Sequence, residues 1–361
     1  MDAAGIPAPM WTLAPDVPPR SAPRPYLLGA NLFSFNRRKL LALGAGAVTA
    51  TATGAAAQAA PATSSTVTTS SLTSAMLARS LPGNFSSRYA TVNGVRLHYV
   101  VGGQGAPLFL LHGWPQTWWE YRKVMPALAR HYRVIAVDMR GGGDSAKPAS
   151  GYDKKTMAKD IHDLAQHLGY SSINIAGHDI GAMVSWSLAV NHPGMVDKLI
   201  MLDVTHPHEG FYEFRALPEP GAGFHPWWFA FNQIHSLPEA LVTGRSRALV
   251  DWMFDYLLID KTAISSFDRA VFAHAYSTPA AIRGGNGWYQ TLSQDIIDNA
   301  TYGQVHVPVL GLVNEMFLPG FEPVLAAQAT NLQVVVLPNC GHYFVDEQPA
   351  AVVDHIRTFL G

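Results

Sequence analysis

The sequence predicts an α/β protein: a mostly parallel central sheet with helices on both faces, and a helical cap inserted between two parts of the core. Three observations predict it. From about residue 88, short apolar runs alternate with helical patterns; after Asp203 the alternation stops; and it resumes at Val307. Alternating strand and helix units give parallel sheets, because each crossover lays a helix across a sheet face.

The elements follow in order. Arg88 to Val101 reads as two strands around Asn93-Gly94, a pair suited to a tight hairpin turn. Pro107 to Leu111 is a continuous apolar run, as expected of a strand covered on both faces. Glu120 to Arg130 has helical character, and Arg133 to Asp138 is a second buried-type strand. Met157, Ile161, Leu164 and Leu168 recur at helical spacing and stop at Gly169. Ser172 to Ala176 reads as a strand, Ile180 to Val190 as a helix and Lys198 to Asp203 as a strand. Residues 206–299 are aromatic-rich and mostly helical. Then come a strand from Val307 to Val313, a helix near Pro323 to Thr330, a strand from Leu332 to Leu337 and a closing helix from Pro349.

The first sixty residues differ in kind, being rich in Ala, Pro, Thr and Ser. Arg37-Arg38 precedes a weakly apolar run of small residues that ends at Ala57-Gln58-Ala59, a pattern accepted by signal peptidases. Residues 1–59 are therefore expected to be a twin-arginine (Tat-type) export signal with an N-terminal extension, which makes the mature protein periplasmic or secreted. The run is Ala, Gly and Thr rather than Leu and Ile, so no stable membrane anchor is expected. Residues 60–84 read as a flexible linker, 85–205 as the first part of the core, 206–299 as the cap and 300–361 as the second part of the core. In 361 residues, 48% hydrophobic and 14% charged, there is ample material for a core. One cysteine excludes an intramolecular disulfide framework, and a net charge of −1 without basic blocks argues against nucleic-acid binding. Oligomeric state stays open, a homodimer included.

Four turns at strand ends carry the chemistry: His112-Gly113-Trp114-Pro115, Gly177-His178-Asp179-Ile180-Gly181, Asp203, and Gly341-His342. Reactive groups in open α/β sheets collect beyond the carboxyl ends of strands. Gly-x-Asp-x-Gly has the shape of a nucleophile elbow, with a carboxylate where acyl-transfer enzymes carry serine. These segments, with Asp138-Met139-Arg140-Gly141-Gly142-Gly143-Asp144-Ser145, resemble the α/β-hydrolase superfamily from about Ser87 to Leu360. The branch they resemble has an aspartate nucleophile and includes epoxide hydrolases, haloalkane dehalogenases and haloacetate dehalogenases.

The resemblance implies an α/β-hydrolase fold, no cofactor and a small apolar epoxide or halogenated substrate, with water as co-substrate. A carboxylate that attacks saturated carbon leaves an ester, which water can cleave; a serine would leave an inert ether. Asp179 would be the nucleophile, His342 the base that activates water, and the amides of Trp114 and Ile180 the oxyanion hole. For the acid that orients His342, Asp203 is favoured over Glu315 by its place after the strand that follows the nucleophile. Tyr289 would donate to the leaving oxygen. Trp228 would assist it, and Trp227 and His112 join Trp228 as candidate substrate or leaving-group contacts. The cap leaves alternatives open. Trp228 matches haloacetate dehalogenases, yet Ile180 and Met183 stand where those enzymes carry carboxylate-binding arginines. Epoxide hydrolysis is the favoured reading; dehalogenation by the same aspartate, or binding without turnover, are the rivals.

Other residues have plainer readings. His178 is expected to serve packing or the turn, and Cys340 to be a buried small hydrophobe. His206, His208 and His225 lack a metal-ligand spacing, so no metal is expected.

Overall fold

The computed structural model describes residues 73–218 and 220–361; the predicted export signal and most of the predicted linker lie outside them. Among the described residues the sheet has eight strands, in the order β1-β2-β4-β3-β5-β6-β7-β8. The edge hairpin is β1 (Ser86–Val92) and β2 (Val95–Gly102), which turn at Asn93-Gly94, both at positive φ. β2 also runs antiparallel to β4 (Arg133–Asp138). The remaining pairs are parallel: β3 (Pro107–Leu111), β5 (Ile173–His178), β6 (Val196–Leu202), β7 (Val309–Asn314) and β8 (Leu332–Leu337). Nearly every residue of β3, β4, β5 and β7 is buried, because helices cover both faces of the central sheet.

Three expectations change. The end of the predicted linker is helical: α1 (Ser74–Ser80) is capped by the Thr73 hydroxyl and buries Leu77 and Ala78 against the sheet edge. The segment expected as a helix from Glu120 is a 3-10 turn, Trp118–Lys123, followed by the short α2 (Met125–Leu128). Pro126 has no N–H with which to extend the first turn into the second, so the chain restarts there. The helix expected near Pro323 begins earlier, as α11 (Leu318–Gln328), because Asn314 Oδ1 accepts the amides of Met316 and Phe317 at 2.8 and 3.1 Å and organises its approach. The closing helix α13 (Pro349–Leu360) stands where the pattern put it.

α3 (Lys154–His167), capped by Asp153, lays Met157, Ile161 and Leu164 on the sheet. α4 (Ile180–Asn191) is buried from Ile180 to Leu188 and leads directly out of β5. Between β6 and β7 lies the helical insertion: α5 (Trp227–Gln233), α6 (Leu237–Val242), α7 (Ser246–Leu257), α8 (Ser266–Ala275), α9 (Pro279–Gln290) and α10 (Leu292–Asn299).

The insertion is fastened to the core at α9. Lys154, fully buried, donates from Nζ to the Trp288 carbonyl at 2.6 Å and to Asp295 Oδ2 at 2.8 Å. Trp288 Nε1 donates in turn to the Arg140 carbonyl at 2.8 Å, and Arg140 is itself forked onto Asp160. Gly284 passes so close to Gly141 that a Cβ there would stand 2.6 Å from its carbonyl oxygen. Helix α9 is thereby held against the turns at the strand ends.

Candidate active site

The four turns singled out in the sequence converge. Asp179 directly follows β5 and heads α4, at φ 50 and ψ −118, a conformation costly for any residue with a side chain. The elbow closes because its flanks are glycines: a Cβ on Gly177 would collide with the Gly181 carbonyl, and one on Gly181 with the Leu111 carbonyl. Two anchors hold the bend, Asp179 N–H to the Leu202 carbonyl at 3.3 Å and Gly181 N–H to the His112 carbonyl at 3.1 Å.

The Trp114 amide donates to Asp179 Oδ2 at 2.9 Å, which ties the turn after β3 to the elbow. Ile180 is the first residue of α4, where a helix leaves its N–H without an intrahelical acceptor. Trp114 and Ile180 thus each offer a main-chain N–H at the elbow, the first already donating to Asp179.

After β6, Asp203 sits at φ 69, and its Oδ2 lies 2.7 Å from His342 Nδ1. Since the carboxylate can only accept, Nδ1 carries the proton and Nε2 keeps its lone pair. Asp203 Oδ1 accepts the Asn314 amide at 3.0 Å, and Asn314 Nδ2 reaches both carboxylate oxygens, at 3.0 and 2.9 Å. Glu315 does not take that place. It is exposed, and its contact is with the Asn339 amide at 3.5 Å. Asp179 and His342 are each 7% exposed, so the site is closed over without being sealed.

The insertion supplies the opposite wall. Tyr289 on α9 is buried, edge-on to Trp114 (ring centroids 5.7 Å apart) and to Phe229 (5.2 Å). Burial drives its phenol well above the usual range and the Asp179 charge adds to this, while a hydrogen bond from Trp228 pulls the other way. Tyr289 is therefore a neutral O–H donor at ordinary pH. Trp228 is buried beside Phe224 and Tyr256. Trp227 lies edge-on to Trp228 and packs on Phe231 and the exposed Trp252. Ile180 and Met183 are both buried apolar side chains, so no guanidinium flanks the elbow at those positions.

His112 also differs from expectation. It is fully buried, with Nδ1–H donating to the Gly113 carbonyl at 2.9 Å and Nε2 accepting the Met139 amide at 3.4 Å. Both nitrogens serve the backbone of the turns, which leaves none for a ligand. His178, expected to be a packing residue, makes two polar contacts, to the His342 carbonyl and to Glu120.

Sequence reasoning missed Glu120, Asn314, Tyr276 and Tyr343. Glu120 accepts the Gly113 amide at 2.9 Å and is fully buried among aromatic residues. A glutamate inside Trp118-Trp119-Glu120-Tyr121 was the available signal, since a lone acid in an aromatic run is costly to bury without a partner. Tyr276 donates to Asn286 Oδ1 at 2.5 Å and stacks edge-on to Trp114. Nothing in the local pattern marks it.

The grouping is a set of chemical capacities: a carboxylate on a strained bend, main-chain donors beside it, an imidazole with a free lone pair held by a carboxylate, and a neutral phenol opposite. A protein-family profile for the alpha/beta hydrolase fold matches residues 106–349. The chain is 35% identical to a soluble epoxide hydrolase of Corynebacterium sp. (strain C12) over 283 residues, 75% of this chain and 96% of the relative. It is 30% identical to a fluoroacetate dehalogenase of Burkholderia sp., over 76% of this chain and 94% of that one. Among solved structures, the ligand-free epoxide hydrolase CorEH is 34% identical with a TM-score of 0.65, covering 76% of this chain and 98% of its own.

Proposed function

This chain belongs to the α/β-hydrolase fold family and is a hydrolase, and from that premise we propose that it opens epoxides to vicinal diols through a covalent ester on Asp179. The observation that carries the choice of leaving group is Tyr289, a buried phenol held protonated beside Asp179. An epoxide oxygen needs a proton as its C–O bond breaks, and a departing halide does not.

In the first step an Asp179 oxygen attacks one epoxide carbon. The C–O bond breaks, its electron pair stays on the oxygen, and that oxygen takes the Tyr289 proton. Trp228 steadies the resulting phenolate through its indole N–H. In the second step His342 Nε2 removes a proton from water, and the hydroxide adds to the ester carbonyl. The negative oxygen so formed is met by the Trp114 and Ile180 amides. Collapse releases the second diol oxygen as an alkoxide, protonated by the His342 imidazolium. The second proton of the attacking water, left on the new Asp179 carboxyl, passes to the Tyr289 phenolate, so both groups return to their starting states and epoxide plus water gives diol.

Dehalogenation of a haloacid by the same aspartate is the second reading, supported by the fluoroacetate dehalogenase relative and by Trp228. The apolar Ile180 and Met183 weigh against it, because an anionic substrate would lack a charged partner there. Paired assays of diol formation and halide release separate the two; halide release without diol overturns the epoxide reading. Single turnover in heavy-oxygen water tests the covalent step. Label entering the Asp179 carboxylate supports it, and label entering the diol alone, with Asp179 unlabelled, excludes it.

The expectation of export by the Tat route stands as part of this proposal, resting on Arg37-Arg38 and the small-residue run after them. Expression with these arginines changed to lysine should retain the protein in the cytoplasm.

A further inference from the structure

The two ring nitrogens of His178 both face acceptors. Nε2 lies 2.9 Å from the His342 carbonyl oxygen. Nδ1 lies 3.2 Å from Glu120 Oε1, close enough for an ion pair though off the axis of an aligned hydrogen bond. A carbonyl and a carboxylate can only accept, so each nitrogen requires a hydrogen. A singly protonated ring would turn a lone pair onto one of these oxygens inside a fully buried site, where little screens the repulsion. Glu120 is itself anchored, its other oxygen accepting the Gly113 amide at 2.9 Å.

We propose that His178 is a positioning residue: a buried imidazolium strung between Glu120 and the main chain of His342, which fixes the base and sets positive charge beside Asp179. This rests on the roles given above to Asp179 and His342.

The geometry explains what such a cation does. The His342 main chain is held from both sides, its N–H on the Leu257 carbonyl at 3.0 Å and its carbonyl on His178. The two imidazole centroids lie 4.5 Å apart, with the ring planes tilted by 37°. With Nδ1 on Asp203, ring and backbone of His342 are both pinned. Asp179 is neutral while esterified and recovers negative charge as water attacks, so a fixed cation favours ester hydrolysis.

The electrostatics agree. Burial by itself lowers the His178 pKa, but Glu120 first, then Asp179 and Asp203, outweigh it and raise it to about 9. The other titratable groups nearby are His342 and Tyr343 against the ring and Tyr121 at the His178 main chain. Burial pushes both phenols well above their usual range, so they stay neutral there.

Nitrogen-15 NMR of the histidine-labelled full-length protein tests the protonation state. One buried ring should show two N–H groups up to about pH 8.5, absent from His178→Gln. In Glu120→Gln that ring should become singly protonated at about pH 7.5. Ester hydrolysis should slow by about 10²-fold in both variants. In Glu120→Gln the alkaline fall in the rate, expected near pH 9 in the parent, should move to lower pH. A His178 ring with a bare nitrogen at neutral pH overturns the proposal, as does a Glu120→Gln protein with an unchanged pH profile. Should a variant not fold, the titration of the parent protein decides alone. The NMR result does not depend on turnover, so failure of the epoxide reading would appear separately, as no diol from a protein that still holds the imidazolium.

Discussion

Asn314, at the carboxyl end of β7, grips Asp203 with both its main-chain and side-chain nitrogens, the contacts lying between 2.9 and 3.0 Å. It thereby aims the one carboxylate that reaches His342 Nδ1. Its neighbour Glu315 is turned to the surface. Asp203→Asn should therefore slow ester hydrolysis by about 10³-fold or more, because the amide can present an N–H to Nδ1 and favour the wrong tautomer. Glu315→Gln should leave the rate unchanged. A large loss in the Glu315 variant would reverse the assignment of the acid.

In the proposed mechanism Tyr289 and His342 act in different half-reactions, and rapid-mixing kinetics can separate them. Tyr289→Phe should depress ester formation from an epoxide by about 10²-fold and spare hydrolysis of the ester once formed. His342→Gln should do the reverse, leaving intact protein heavier by the mass of one substrate molecule. No adduct with any of a panel of epoxides would remove the case for a covalent ester.

The Lys154–Asp295 pair is buried, at 0% and 1% side-chain exposure. Lys154→Met strands the Asp295 carboxylate in the interior, and denaturant titration should show a loss of about 3–5 kcal/mol. Lys154→Met combined with Asp295→Leu should recover much of it, since neither charge then remains to be buried. An exposed pair would lose under about 1 kcal/mol, and that outcome would mean that the seam opens in solution.

Asp138 gives the protein a defined acid limb. Burial by itself raises its pKa, but the His98 ring at 2.7 Å and the Trp118 amide outweigh this and bring it to about 2, below the usual 3.8. A depressed folded-state pKa stabilises at pH values above the unfolded one and is lost as pH falls through the folded one. Stability should therefore drop by about 2 kcal/mol between roughly pH 4 and pH 2 on account of this residue. In Asp138→Asn that part of the acid dependence should be missing, and stability at neutral pH should be lower from the outset.

The succession of strands and helices along the chain, the break in their rhythm after Asp203 and the four turns at strand ends were legible because each is a local pattern. A strand covered on both faces must be apolar throughout, as Leu108 to Leu111 is, and a sharp elbow must have small residues on both sides, as Gly177 and Gly181 are. Asp179 could be read as a nucleophile because its spacing from those glycines and the chemistry of a carboxylate both lie within five consecutive residues. The 3-10 turn at Trp118–Lys123 was harder to see, since the defect that ends it, Pro126, lies outside it.

By itself, then, the chain determined its strand and helix rhythm and the residue types brought to each strand end, for both depend on neighbours a few positions apart. Tertiary structure alone decided the pairings across long separations: Asp203 rather than Glu315 for His342, a backbone task for His112, and Glu120 against His178. The physical reason is that burial and charge act through space. A histidine next to Asp179 reads as filler until the fold brings a carboxylate from 58 positions earlier against its ring and excludes the water that would have screened the two.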